Sequence, residues 1–376
     1  MNESGLSRRE AYLVLNALPL MGPITLNRLL EAFDGDPVRV LEASSGQLQR
    51  VPSVGQAVAR MISGWREQVD LPRERSLLDK AGVRFVVPED RIYPALLREI
   101  HDPPIGLYWL GDYQIDVPCI AIVGSRKCTR YGLEVARKLA GELARMDFCI
   151  VSGMARGTDR AAHEGALEAG GRTLAVFGNG IDIVYPPENV DLYREIRENG
   201  AVLSEFPFGK KANRTTFPMR NRVVSGICRA VIVVETDVQG GSMITARFAM
   251  EQNRTVFAVP GRIDMPSSAG CLQLIKDGAV MLTSVEDVLE ELGYTAKLKQ
   301  MGMFEDDSSM SDALPAEEGE PDPILEVFRG GAILERDHIA EATGLPIQEI
   351  ASRLMLLELD RKIVKRVDGR YELRNG

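Results

Sequence analysis

CIAIVGSRKCTRYGLEVARKLAGELARMDFCIVSG, residues 119–153, decides the fold. An apolar run ends in Gly124, a short polar loop follows, and YGLEVARKLAGELARM then shows helical spacing before a second apolar run ends in Gly153. That order is one strand–helix–strand unit. The pattern continues downstream through TLAVFG (173–178), AVLSEF (201–206), AVIVVET (230–236), TVFAVPG (255–261) and VMLTS (280–284), with amphipathic stretches between most of them. The runs are rich in Val and Ile and do not alternate with polar residues, as in strands buried on both faces of a parallel sheet. Residues 119–294 therefore read as a doubly wound α/β domain with a mostly parallel sheet.

Upstream, residues 1–72 read as short helices broken by Gly and Pro: AYLVLNALPL, ITLNRLLEAF, PVRVLEA and GQAVARMISGW. MGPITLNRLL and VPSVGQAVAR each place a glycine turn before a helix, resembling helix-hairpin-helix or sterile-alpha-motif-like modules. Arg8 and Arg9 before AYLVLNALPL give a faint signal-peptide look, but Glu10 and Asn16 interrupt it, and a buried amphipathic helix is the better reading. Residues 73–118 form a connector, expected to be extended chain packed on a neighbour. Residues 295–322 hold eight acids against two lysines and read as a flexible acidic linker. Residues 323–376 read as three helices and a hairpin, a winged helix, with Asp368-Gly369 as the hairpin turn. Its last sixteen residues carry six Arg/Lys and two acids, a basic wing.

The composition is that of an ordinary globular chain, 45% apolar and 26% charged, with net charge −9. The negative balance argues only weakly against a nucleic-acid partner, because the acidic linker carries much of it and binding follows the local field. Five scattered cysteines without a C-x-x-C pair, and three histidines, fit neither a zinc site nor a disulfide framework. No metal or cofactor is expected, and a reducing cytoplasm is the simplest setting. No run of 18 apolar residues suggests a membrane span.

Ligands of such sheets bind beyond the carboxyl ends of the strands. Four anion-friendly loops fall there. The first is VGSRKCTRYG, with Gly124, Ser125 and Arg126 before a helix whose N–H groups can meet an anion. Arg126 can pair with a phosphate or with a neighbouring carboxylate. The loop is not G-x-G-x-x-G, so a dinucleotide fingerprint is poorly supported. The second is VSGMARGTDRAAHEGAL (151–167), where Ser152, Gly153, Ala155 and Gly157 permit close backbone approach and Arg156 adds a charge. Thr158 or Asp159 can cap the next helix, and Asp159 with His163 could form a dyad, though a cap plus a packed histidine reads better. The third is FGKKANRTTFPMRNRVVSG (208–226), with Lys210, Lys211, Arg214, Arg220 and Arg222, no acid, and Phe217 among them. Cations interleaved with an aromatic suit single-stranded nucleic acid. Arg220 and Arg222 are read as lying just before a helix. The fourth is ETDVQGGSMITARFAMEQ (235–252), where Gly241, Ser242 and Thr245 make a phosphate-type turn.

The ordered motifs VGSR, SGMARGTDRAAHEGAL, AVFGNGIDIVYPPEN, LSEFPFG, FPMRNRVVSG, VIVVET, GSMITARFAMEQNRTVFAVPG and LIKDGA resemble the DNA-processing protein A (DprA/Smf) family. The resemblance covers residues 119–283 densely, and the flanking parts fit its three-domain layout around a Rossmann-like core. It implies a cytoplasmic bacterial protein, not an enzyme. Such a protein binds single-stranded DNA, protects incoming strands during natural transformation and loads the RecA recombinase, displacing single-stranded-DNA-binding protein. It also implies a homodimer through the Rossmann-like domain and a DNA pocket using Arg126 of the GSR motif. With the residue reading, the candidate contacts are Arg126, Arg156, Lys210, Lys211, Phe217, Arg220, Asn221 and Arg222, plus the glycine-rich loops. Many members carry a lysine after the Tyr-Pro of the third-strand loop. Here Pro187 and then Glu188 follow, and Lys210 or Lys211 is the candidate replacement. AVFGNG replaces a commoner Gly-Cys-Gly ending, and Cys271 stands where many members have asparagine. The rival reading is a nucleotide phosphoribohydrolase-like enzyme of the same sheet type. Its P-G-G-x-G-T-x-x-E motif is poorly met, because Ala246 and Arg247 stand where an acid is needed, leaving Glu235 and Glu251 as spare carboxylates.

Overall fold

The computed structural model describes residues 5–294 and, further on, residues 323–328, 332, 334–346, 349–350, 353–354, 357–358, 362–366 and 370–373. The chain divides into two units, Met1–Leu298 and Lys299–Gly376.

The first unit is built on a nine-stranded sheet in the order β1-β2-β6-β5-β4-β3-β7-β8-β9. The strands are β1 (Arg84–Val86), β2 (Leu107–Leu110), β3 (Cys119–Val123), β4 (Cys149–Ser152), β5 (Thr173–Phe177), β6 (Gly200–Ser204), β7 (Ala230–Val233), β8 (Thr255–Ala258) and β9 (Val280–Met281). Strands β3 to β9 are parallel, as the apolar runs predict, and every residue of β3, β4, β5, β6 and β7 is buried. The chain steps outward from β3 to β6, then returns to the other flank of β3 with β7. The strand order therefore reverses between β3 and β7, and a crevice opens there at their carboxyl ends.

The connector takes part in the sheet itself. Two of its segments are strands: β1 pairs antiparallel with β2, and β2 antiparallel with β6, which lengthens the sheet at one edge. Trp109 in β2 is fully buried, with its indole N–H donating to Tyr113 O at 3.2 Å.

The helices before β1 pack directly on this sheet. Leu13, Leu29 and Trp65 belong to the same apolar cluster as Tyr108, Phe177 and Val202. The first half of AYLVLNALPL, Ala11 to Leu15, is the buried part of helix Arg8–Ala17, which is opened by a Ser7–Glu10 capping box. Arg8 pairs with Glu89, and Arg9 with Asp90 at 2.6 Å, fastening this helix to the connector. The opposite face of the sheet is covered by a second cluster that includes Leu97, Trp109, Val224 and Leu274. Among the described residues, no helix is long and apolar enough to cross a membrane.

In the second unit, helices Pro323–Val327 and Arg336–Thr343 pack with an antiparallel pair, β10 (Ile363–Lys365) and β11 (Tyr371–Leu373). Ile324, Phe328, Ile339, Leu354 and Ile363 form its core. Leu334 bridges Tyr371, adding a third short extended segment that sequence patterning does not reveal. Two wing cations are paired, Arg366 with Glu372 at 2.8 Å and Arg370 with Glu335 at 3.3 Å. The Asp368-Gly369 turn, the acidic linker and parts of the third expected helix lie outside the described residues.

Candidate nucleic-acid interface

The loop after β3 is shaped by a buried acid at the end of the neighbouring β7. Glu235 is 4% exposed, and both its carboxylate oxygens are engaged: they accept from Thr129 N and Thr129 Oγ1, each at 2.7 Å. Its backbone carbonyl accepts from Ser125 N at 2.7 Å. Thr129 in turn caps helix Arg130–Arg145 by accepting from Gly132 N. This clamp fixes residues 124–129 and leaves Arg126 exposed at the rim, its guanidinium carbon 4.8 Å from the centre of the Phe217 ring. Glu235 is therefore a loop clamp rather than a spare carboxylate. Its position, an acid closing the strand next to the order reversal, is the signal that could have found it.

The loop after β4 interlocks with the first. Gly157 has φ +75°, and a Cβ there would lie 2.4 Å from Ser125 O. Only glycine fits this backbone and this approach. Thr158 N and Oγ1 both donate to Ser125 O at 3.3 Å. Neither Thr158 nor Asp159 caps the helix by its side chain: the N-cap is Gly157. Asp159 instead accepts from Gly153 N at 3.1 Å and Ala155 N at 3.2 Å, holding the loop from beneath. His163 is fully buried, with Nδ1 2.6 Å from Thr173 Oγ1, and burial pushes its pKa down to about 3. The imidazole is neutral and bonded away from Asp159, so the packed-histidine reading holds and the dyad does not.

Two arginines of the third loop depart from their expected place. Helix Thr216–Ile227 begins earlier than the sequence suggests, because Pro218 sits in its first turn, where a missing N–H costs nothing. Arg220 and Arg222 are inside this helix and buried. The Arg220 guanidinium donates from Nη1 to Gly153 O at 2.5 Å and Val176 O at 2.6 Å. Burial lowers its pKa to about 10, and burial also raises that of Asp159 beside it. Arg220 thus forms the floor of the cleft rather than reaching out of it. Arg222 is 3% exposed and is held by Asp102 at 2.9 Å and Glu205 at 2.6 Å. Two carboxylates already neutralise it in the interior, so it is withdrawn from the set of phosphate contacts.

The fourth loop leads into helix Gly241–Glu251. Its N-cap, Gly240, offers no side-chain hydrogen bond, and the first turn holds no acid. Ser242 is 6% exposed, and its Oγ has no hydrogen-bond partner among the described residues. Asn221 Nδ2 donates to Gly241 O at 3.4 Å, joining this turn to the third loop. An uncapped helix start with open N–H groups favours an anion.

These loops enclose a cleft of about 540 Å³ at the β3/β7 reversal. It brings together Gly124, Ser125, Arg126, Gly153 and Ala155 from the first two loops. Phe217, Arg220, Asn221, Gly241, Ser242 and Thr245, also expected, line it as well. Arg214, one of the cations read in the third loop, also lines it, as does Lys127, which sequence reasoning did not single out. A recess beside it shares Arg126 and Phe217 and adds Arg156 and Tyr185, whose ring centre is 6.0 Å from that of Phe217. Ser152 lies beneath the cleft, fully buried, donating to Ile122 O at 2.6 Å. Gly157 lies behind Arg126. Lys210 and Lys211 are exposed but line neither cavity.

Known proteins carry this same architecture. The model of DNA recombination-mediator protein A matches residues 84–293, and that of the DprA winged helix domain matches residues 308–369. Protein Smf of Synechocystis is 37% identical over 303 residues, covering 78% of this chain and 75% of that protein. The X-ray structure of DNA processing protein A from Streptococcus pneumoniae superposes with a TM-score of 0.65 at 35% identity, covering 76% of this chain and 98% of that one. The Helicobacter pylori protein, described for its unique single-stranded DNA binding mode, gives a TM-score of 0.51 at 32% identity, covering 56% of this chain and 97% of that one. The chain, a Rossmann-like α/β core followed by a winged helix domain, belongs to the DNA processing protein A (DprA/Smf) family.

Proposed function

We propose that the cleft at the β3/β7 reversal binds single-stranded DNA through its phosphates, without sequence preference and without chemistry. The observation that carries this reading is the exposed Arg126 lying on Phe217 at the rim of an open cleft. Arg214, Lys127 and an uncapped helix start lie along the same cleft. Cations along a groove track the backbone, and the Phe217 and Tyr185 rings can stack bases of any identity. The likeness to the Helicobacter pylori protein supports the same ligand.

In this reading the protein works in the bacterial cytoplasm, protecting incoming strands in natural transformation and loading RecA onto them against single-stranded-DNA-binding protein. A homodimer through the Rossmann-like domain accompanies it. Ile263, 94% exposed, and Met281 on the free edge of strand β9 support an apolar contact there. The winged helix is assigned a second contact, with duplex or with protein. The phosphoribohydrolase alternative has less support, since both Glu235 oxygens are committed to Thr129.

Oligo-dT binding measured across a salt series tests the reading. Each phosphate neutralised on a single strand contributes roughly −0.7 to the log–log slope, so three or four contacts give about −2 to −3. A slope near zero contradicts an electrostatic cleft.

A further inference from the structure

The loop after β5 places an acid against a cation of the cleft. Arg156, at the recess beside Phe217, is ion-paired to Glu188. This carboxylate is positioned by its own loop. The neighbouring Asn189 is buried, and its Nδ2 donates to Met154 O at 3.0 Å while its Oδ1 accepts from Arg160 at 2.8 Å. Those bonds dock residues 185–189 onto the loop that carries Arg156. They also fix Glu188 opposite the guanidinium without help from the ion pair. Both side chains stand in solvent, 57% and 47% exposed, so the pair is open to exchange. The Arg156 hydrogen bond holds the Glu188 carboxyl below its usual range, and it is anionic at neutral pH.

We propose that Glu188 is a built-in competitor of the strand: it occupies Arg156 in the free protein, and a DNA phosphate must displace it to engage this end of the cleft. The inference rests on the cleft being a single-stranded DNA site. It makes the recess a contact of adjustable strength, in which one of the available cations is withheld until a phosphate takes the carboxylate's place. An exposed ion pair is weak, so the brake is modest, and its loss should tighten binding by about two- to fivefold.

The test is fluorescence anisotropy with a labelled oligo-dT on the full chain, comparing wild type, Glu188→Gln, Arg156→Ala, the double variant and Arg126→Ala. Glu188→Gln should bind about two- to fivefold tighter at moderate salt. Its log–log salt slope should match that of wild type, because the same phosphate reaches Arg156 in both complexes. In the Arg156→Ala background the same change should have no effect. If wild type binds, Arg126→Ala weakens it and Glu188→Gln is neutral, the competitor role is overturned and the cleft reading stands. An equal gain in the Arg156→Ala background also overturns it, because Glu188 then acts by general repulsion. If wild type itself does not bind, the cleft reading fails and takes this inference with it. Thermal unfolding of each variant separates a lost contact from a lost fold.

Discussion

Arg126→Ala is expected to weaken oligo-dT binding by about ten- to a hundredfold while leaving the fold intact. A charge-assisted hydrogen bond to phosphate contributes about 1.5–3 kcal/mol, one to two powers of ten in affinity. Arg126 is exposed on a loop whose shape is set by other groups: Glu235 with Thr129, and Ser125 with Thr158. Its contact with the Phe217 ring is a surface cation–π pair of about 0.5–1 kcal/mol. The variant should therefore unfold within a few degrees of wild type. Anisotropy and a melting curve on the same preparation check both halves. A loss below twofold would mean that the strand does not pass this rim.

Arg220→Ala should behave in the opposite way. The guanidinium is buried, shared between Gly153 O and Val176 O, and lies beside the buried Asp159. Removing it leaves the buried Asp159 without its nearby positive charge and two buried carbonyls without this donor, and a buried charge left uncompensated costs about 3–5 kcal/mol. That is a large part of the stability of an ordinary domain. The urea midpoint should fall steeply, and DNA binding with it. Asp159→Asn in the same background should recover part of the loss, because the uncompensated charge is gone. Lowering the pH should also narrow the gap. Burial raises the Asp159 pKa in the folded state, so the folded protein takes up a proton there more readily than the unfolded chain. Its folded form is thus favoured as pH falls, and more so without Arg220. An Arg220→Ala variant as stable as wild type but deficient in binding would return Arg220 to the phosphate contacts.

The contrast between these two arginines shows where sequence reading stops. The seven parallel strands are legible, because each is an unbroken apolar run bounded by glycine or a helix start. Strands β1 and β2 are not, since three and four residues among Pro88, Pro94, Pro103 and Pro104 give no period to count. Helical spacing in residues 8–63 shows that a face is buried, but not that it is buried on the same sheet. At the cleft, small residues at strand–helix junctions point to the right loops, because close backbone approach demands them. Charge alone does not say whether a side chain is inside. The partners of Arg222, Asp102 and Glu205, lie far from it in the sequence and come from separate segments. Only the fold makes that arginine a core ion pair and leaves Arg214 to line the cleft. Glu235 was visible as an acid at a strand end, yet its partner Thr129 lies 106 residues away.

The measurement that bears most directly on the cleft is competition. A labelled oligo-dT bound to the full chain is challenged with unlabelled oligo-dT, with duplex of the same length and with AMP. A polymer-phosphate site predicts full displacement by the single strand, weak displacement by duplex and none by AMP. Displacement by AMP at comparable concentration, with slow release of adenine, would contradict it: the cleft would then be a nucleotide pocket on the family's fold.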